Sequence, residues 1–198
     1  MRIIAGSAKG YRLGSLPTKS KRQLIRPTSD RAREALFSII GPFVQGALVL
    51  DLFAGTGALG LEALSRGALS TLFVDKNRCV IDLISRNIEK CGFSEVSTVV
   101  KRDLTKGLSF LNKFIPPDGF TLIFLDPPYG RKMGYTVLFE LGKGEFINNQ
   151  CMVIAEDNSG EELPDKIGIL HLHDRRRYGD TGFWLYRKRS QAPHPESR

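Results

Sequence analysis

Between Ala47 and Asp157 the chain alternates between short apolar runs and stretches of helical periodicity. The runs are "ALVLDLF" (47–53), "STLFVD" (70–75), "VSTVVKRD" (96–103), "FTLIFLD" (120–126) and "CMVIAED" (151–157). The first is apolar almost throughout, the pattern of a strand buried on both faces. Helical patterns fall between the runs at Ala58–Arg66, Arg78–Lys90, Leu104–Phe114 and, more loosely, Val137–Lys143. Repeated β-α units of this kind predict a parallel, doubly wound sheet with helices on both faces. Past it, "IGILHLH" (167–173) and "GFWLYRK" (182–188) alternate as two strands around a turn containing "YGDTG", an antiparallel hairpin at the edge of the sheet. The expectation is an α/β, Rossmann-like, mostly parallel sheet of seven strands.

Upstream of the alternation, Arg2–Ala5 and Tyr11–Leu16 flank "GSAKG" as a small hairpin. In "RPTSDRAREALFSII", Pro27 interrupts the chain and Thr28 or Ser29 can cap a helix. Its apolar stripe is Ala32, Ala35, Leu36, Ile39 and Ile40, and Gly41-Pro42 ends it. Residues 1–40 therefore read as an N-terminal extension, 41–189 as the α/β domain, and 190–198 ("SQAPHPESR") as a disordered tail. No apolar run approaches the ~20 residues that span a bilayer. Cys79, Cys91 and Cys151 are widely spaced with no C-x-x-C, the usage of reduced thiols in a cytoplasmic protein. The three histidines form no H-E-x-x-H, so no metal site is expected.

The charge is uneven. Residues 1–33 hold nine bases (Arg2, Lys9, Arg12, Lys19, Lys21, Arg22, Arg26, Arg31, Arg33) against the single acid Asp30. That segment alone carries +8, the net charge of the whole 198-residue chain. A second basic cluster is Arg175, Arg176 and Arg177. Positive charge packed at one end points to a polyanion, nucleic acid above all, with a solvated basic arm as the plain alternative for "TKSKRQ" (18–23).

In "LDLFAGTGALG" the glycines 55, 57 and 60 keep the G-x-G-x-x-G spacing of a dinucleotide turn, with Asp75 twenty residues past Gly55. Asp51, at the end of the strand, argues against a pyrophosphate: it would repel phosphate and attract the ammonium of S-adenosylmethionine. Asp75 can accept both hydroxyls of a ribose. Asp103, in "VKRDL", can meet an adenine amino group or simply cap the helix that follows. All three fall at carboxyl ends of strands, where open α/β sheets bind ligands.

The more telling stretch is "IFLDPPYG" (123–130). Two prolines after a buried strand cannot continue a ladder, and they fix an extended corner. The corner holds Asp126 and Tyr129 at set positions. An exocyclic amine conjugated to a ring is a poor nucleophile. Asp126 and the Pro127 carbonyl can accept its N–H bonds, and Tyr129 can stack the extruded base. Methyl transfer by in-line displacement then needs positioning above all.

"DPPY" after "DLFAGTGALG" resembles the amino-methyltransferases that carry [DN]-P-P-[YFW]. "MRIIAGSAKG", "RPTSDRAREALFSII", "DLFAGTGALGLEALSRGA", "TLIFLDPPYG" and "YGDTGFWLY" are together similar, in order and spacing, to the bacterial 16S rRNA guanine-N2 methyltransferase family, RsmD. The resemblance runs from Met1 to about Lys188. It implies a class I S-adenosylmethionine-dependent methyltransferase acting on a guanine N2 in 16S rRNA of the small subunit or its assembly intermediate. A cytoplasmic, monomeric protein is expected. By position, Asp51, Phe53, Ala54, Gly55, Thr56, Gly57, Asp75, Asp103 and Leu104 would bind S-adenosylmethionine. Asp126, Pro127, Pro128 and Tyr129 would hold the target base, and Arg2, Lys9, Arg12, Arg26, Thr28 and Arg31 would meet RNA. The departures are Asp75, where relatives carry Glu, and "KRD" before Asp103 in place of Gly-Asp. Asp at position 126, rather than the Asn of "NPPY" enzymes, leans toward the guanine reaction. A DNA adenine-N6 methyltransferase using the same corner is the alternative, although 198 residues leave little room for a target-recognition region.

Overall fold

The computed structural model describes residues 1–15, 29–127, 133–158 and 162–188. Its strands are β1 (Leu48–Leu52), β2 (Ser70–Asp75), β3 (Ser97–Lys101), β4 (Phe120–Leu125), β5 (Ile147–Asn158), β6 (Lys166–Ile167), β7 (Leu170–Tyr178) and β8 (Thr181–Lys188). The helices are α1 (Asp30–Ile40), α2 (Ala58–Ser65), α3 (Arg78–Cys91) and α4 (Met133–Leu141). All strands join one sheet in the order β3-β2-β1-β4-β5-β8-β7-β6. β1 to β5 pair in parallel, while β8, β7 and β6 add antiparallel. The order reverses between β1 and β4, so the crevice for a ligand lies outside their carboxyl ends.

Both faces of the sheet are covered, as the apolar runs require. On one, Leu50, Leu52, Ile123, Leu125 and Val153 pack with Val137, Leu138 and Leu141 of α4. On the other, Val49, Phe124, Met152 and Ile154 pack with Leu36, Phe37 and Ile40 of α1. A third cluster joins Leu61 and Leu64 of α2, and Val80, Ile84 and Ile88 of α3, to Ile3, Ala8 and Leu13 of the N-terminal hairpin. The hairpin is tied by the Arg2–Arg12 bridge. Ser29 caps α1, its Oγ accepting the Ala32 N–H at 3.1 Å.

Three expectations are corrected. The sheet has eight strands, because "IGILHLH" is two: Gly168, at φ +58°, turns the chain between β6 and β7, where a Cβ would sit 2.1 Å from the Gly142 carbonyl oxygen. The stretch Leu104–Phe114 forms two short 3-10 turns, Leu104–Lys106 and Ser109–Lys113, because Gly107 adopts φ +90° and stops helix propagation. The basic triplet on β7 is not one patch. Arg175 lies 5.0 Å over the Trp184 ring, and Arg176 pairs with Asp174 at 2.8 Å.

Candidate active site

β1 ends in Leu52, and Phe53 then takes φ +60°, the one positive φ outside glycine among the described residues. Gly55 and Gly57 follow at +56° and +77°. The left-handed run turns the backbone sharply, and Gly57 becomes the N-cap of α2 with no side chain of its own over the first-turn N–H groups. The Ala54 N–H donates to the Val74 carbonyl at 3.0 Å, which holds the loop against β2.

Two carboxylates fix the loop from below. Asp51 is buried, and its Oδ2 accepts the Gly60 N–H at 3.0 Å, strapping β1 to α2. Burial pushes its carboxyl up to about 8, opposed by the Gly60 N–H and assisted by the charge of Asp75. Asp75 accepts from Gly55 N at 3.2 Å and from Asn77 N at 2.9 Å. Burial raises its pKa as well, against those same hydrogen bonds. Asp75 therefore stands oriented at the tip of β2 beside the glycine loop.

The corner adjoins this loop. The Asp126 N–H points to the Leu52 carbonyl at 3.4 Å, and Gly134 of α4 packs against the Pro127 ring so closely that a Cβ there would sit 2.7 Å from its Cγ. Leu125 pairs with Ala155, so Asp126 stands level with Glu156 on β5. Burial, then the charges of Glu156, Asp51 and Asp157, pushes the Asp126 carboxyl well above the usual carboxylate range. The carboxyl edge of β1, β2 and β4 thus gathers carboxyl groups whose pKa values burial raises, and a cation bound there would favour their ionised forms.

These residues fit S-adenosylmethionine. The turn presents backbone to the ligand, and the nearby carboxylates suit an ammonium, a sulfonium and a ribose diol where a diphosphate would be repelled. Asp51 is the most enclosed of them and already spans β1 and α2. Asp103 lies farther out: its Oδ1 accepts from Thr105 N at 3.1 Å and Thr105 Oγ1 at 2.8 Å, and these bonds lower its pKa. The Leu104 side chain is buried in the core. Arg2, Lys9 and Arg12 are exposed on the hairpin and Arg31 on the first turn of α1. Arg26, Thr28, Pro128 and Tyr129 lie outside the described residues, as does the 190–198 tail. Among the described residues no group of His, Cys, Asp and Glu could hold a metal, and no helix is long and apolar enough to cross a membrane.

Sequence reasoning missed the residues that lock the hairpin onto this site. Glu62, fully buried in α2, accepts the N–H groups of Ile4 (2.7 Å) and Ala5 (3.0 Å) and the Arg66 guanidinium (2.7 Å). Arg33, fully buried in α1, donates to the Arg2 carbonyl and to Asp30 and lies 3.9 Å from Glu62. Burial lowers its pKa, against the neighbouring acids. One signal was present: Glu62 is the lone charge in the otherwise apolar "ALGLEALS".

A mostly parallel sheet with a C-terminal antiparallel hairpin and a glycine turn after β1 defines the Rossmann-like class I methyltransferase fold. The chain belongs to the family described as Conserved hypothetical protein 95, the RsmD family, whose model matches residues 1–187. The Bacillus subtilis protein YlbH is 35% identical over 189 residues, covering 96% of this chain and all of YlbH. The Escherichia coli protein named ribosomal RNA small subunit methyltransferase D is 31% identical over 194 residues, covering 97% of this chain and 92% of that one. The solved structure of yhhF from Escherichia coli has a TM-score of 0.79 at 30% identity, over 96% of this chain and 99% of that one.

Proposed function

We propose that this chain methylates the exocyclic N2 of a guanine in 16S rRNA of the small ribosomal subunit, with S-adenosylmethionine as donor, acting as a cytoplasmic monomer. The observation that carries this is the placement of the Asp126-Pro127 corner directly against the strand that opens the glycine loop. Family membership and the small-subunit rRNA enzyme among the relatives support the substrate class.

S-adenosylmethionine, when bound, supplies an electrophilic methyl group on a sulfonium. Asp75, Gly55 and Gly57 would hold it, with Asp51 keeping the loop closed through Gly60. Asp126 and the Pro127 carbonyl accept the N–H groups of the guanine amine, which turns its lone pair out of conjugation. Tyr129 provides a face on which the extruded base stacks. The nitrogen loses a proton on methylation, and Asp126, whose proton affinity is raised by burial and the neighbouring acids, is the adjacent acceptor when its carboxyl is ionised. Arg2, Lys9, Arg12, Arg26 and Arg31 meet the phosphates.

The test is to map methylated guanines in 16S rRNA from a strain lacking the gene, then complement it. One N2-methylguanine should disappear, return with the wild-type gene, and stay absent with Asp126→Asn, whose activity should fall about a hundredfold or more. Unchanged 16S methylation, or label from S-adenosylmethionine entering only DNA, would overturn the assignment.

A further inference from the structure

α3 buries one stripe, Val80, Ile84, Asn87, Ile88 and Cys91, and Asn87 is its polar member at 2% exposure. A buried amide is costly unless both its ends are bonded. Here they are bonded to two segments far apart in sequence. Nδ2 donates to the carbonyl of Thr56 at 2.9 Å, inside the glycine loop. Oδ1 accepts the Gly14 N–H at 2.7 Å, where the hairpin ends. A Cβ on Gly14 would lie 3.0 Å from Leu83 Cδ1 and 3.2 Å from that same Oδ1, so the chain closes tightly on α3 there.

A second path joins the same two segments. Thr56 Oγ1 lies 3.5 Å from Met1 Sδ, and the Met1 carbonyl accepts the Leu13 N–H at 3.1 Å. Lys90, one turn beyond Asn87, donates to the Arg12 carbonyl at 2.7 Å. The strand carrying Arg12 is thus registered against the helix that also holds the loop. Displacing Thr56 breaks or drags the Asn87 amide, and Gly14 must follow or lose its acceptor.

We propose that Asn87 is a positioning residue that couples occupancy of the glycine loop to the grip of the N-terminal hairpin on RNA. The inference rests on the function proposed above. Ligand at the loop fixes Thr56, the bonded amide fixes Gly14, and the exposed Arg2, Lys9 and Arg12 are held in one arrangement for the polyanion. Linkage makes the effect reciprocal, so RNA on the hairpin tightens the loop for its ligand by the same factor.

The test measures the affinity of the full chain for small ribosomal subunits from the deletion strain, with and without saturating S-adenosylhomocysteine. In the wild type the cofactor product should tighten RNA binding by about fivefold or more, the lower end of ordinary coupling. In Asn87→Leu, similar in size and without the amide, the ratio should fall to about one. Asn87→Asp keeps an acceptor for Gly14 and sets a carboxylate oxygen against the Thr56 carbonyl, so it too should lose the coupling. Hydrogen exchange on the unmutated chain guards against a variant that fails to fold: S-adenosylhomocysteine should slow exchange in the segment containing Gly14. A wild-type ratio of one with both ligands bound, or exchange at Gly14 indifferent to the product, overturns the coupling alone. Failure of the wild type to bind S-adenosylhomocysteine overturns both the coupling and the methyltransferase function.

Discussion

Replace Gly60 with alanine. It is the third glycine of the turn motif, and it sits within α2, where alanine is the better helix former by about 1 kcal/mol. On backbone grounds alone the variant should be more stable. The space says otherwise: a Cβ at Gly60 would stand 2.4 Å from Phe73 Cε1, 2.9 Å from Phe73 Cζ and 2.8 Å from Thr71 Cγ2. Phe73 is fully buried, and Thr71 and Phe73 lie in β2 under the helix, so neither can swing into solvent. α2 must lift, at an overpacking cost of about 1–3 kcal/mol. Lifting also stretches the 3.0 Å bond from Gly60 N to Asp51, which adds about 1 kcal/mol, so the two costs together exceed the helix-propensity gain. For a chain of this size the net loss corresponds to a Tm lower by roughly 2–10 °C. Gly57→Ala is the control with the opposite balance. Its Cβ would meet its neighbours at 3.4–3.5 Å, ordinary contact, but φ +77° costs about 1–2 kcal/mol for any residue with a Cβ. Urea denaturation and S-adenosylhomocysteine titration of both variants check this. Gly60→Ala should lose stability while its folded fraction still binds the ligand, and Gly57→Ala should change the binding turn itself. A Gly60→Ala chain as stable as the wild type would refute the packing account of the third glycine.

Asp51 makes stability pH-dependent. With a folded pKa of about 8 against 3.8, its contribution is full below pH 4 and is lost as pH rises through about 8, a swing of roughly 6 kcal/mol by linkage. Unfolding free energies measured from pH 5 to 8 should therefore fall less in Asp51→Asn than in the wild type, and equal slopes would contradict the burial of this carboxyl. Glu62→Leu takes one of two acids from the buried Arg33 guanidinium, leaving Asp30, and orphans the Ile4 and Ala5 N–H groups, so urea denaturation should show a loss of about 3–5 kcal/mol. Replacing Arg2, Lys9 and Arg12 together by alanine should flatten the log–log salt dependence of RNA binding by about 2, read from affinities at several salt concentrations, with S-adenosylhomocysteine affinity in the absence of RNA as the internal control.

What the sequence revealed and concealed follows from the range of the interactions. Continuous apolar runs located the parallel strands because burial on both faces leaves a local signature. The acidic and proline positions that end them placed Asp51, Asp75 and Asp126 at one edge of the sheet. Ser29 was legible as a cap because its partner is three residues away. Arg33, Glu62 and Asn87 were not, since their partners come from a hairpin 31 to 73 residues distant. Arg33 was the most misleading: among nine bases it reads as one more solvated cation, yet it is the fully buried side chain joining α1 to Arg2 and Glu62. Glu156 was hidden differently. The acidic pair closing "CMVIAED" looks like the end of a strand, and only pairing of β4 with β5 shows that it stands level with Asp126.

Removing the N-terminal hairpin cannot isolate its proposed contact with RNA. Ile3, Ala8 and Leu13 belong to the same apolar cluster as α2 and α3, and four backbone N–H groups of the hairpin, on Ile4, Ala5, Ala8 and Gly14, end on buried side chains of those helices. Deleting the hairpin would strip partners from Glu62, Ser65 and Asn87 at once and expose the apolar floor beneath the glycine loop. Lost RNA binding in such a truncation would report a damaged cofactor turn as readily as missing cations. Substitutions confined to the exposed Arg2, Lys9 and Arg12 leave every one of those buried bonds in place, because the bonds belong to the backbone. They separate the packing role of the hairpin from the RNA contact proposed for it.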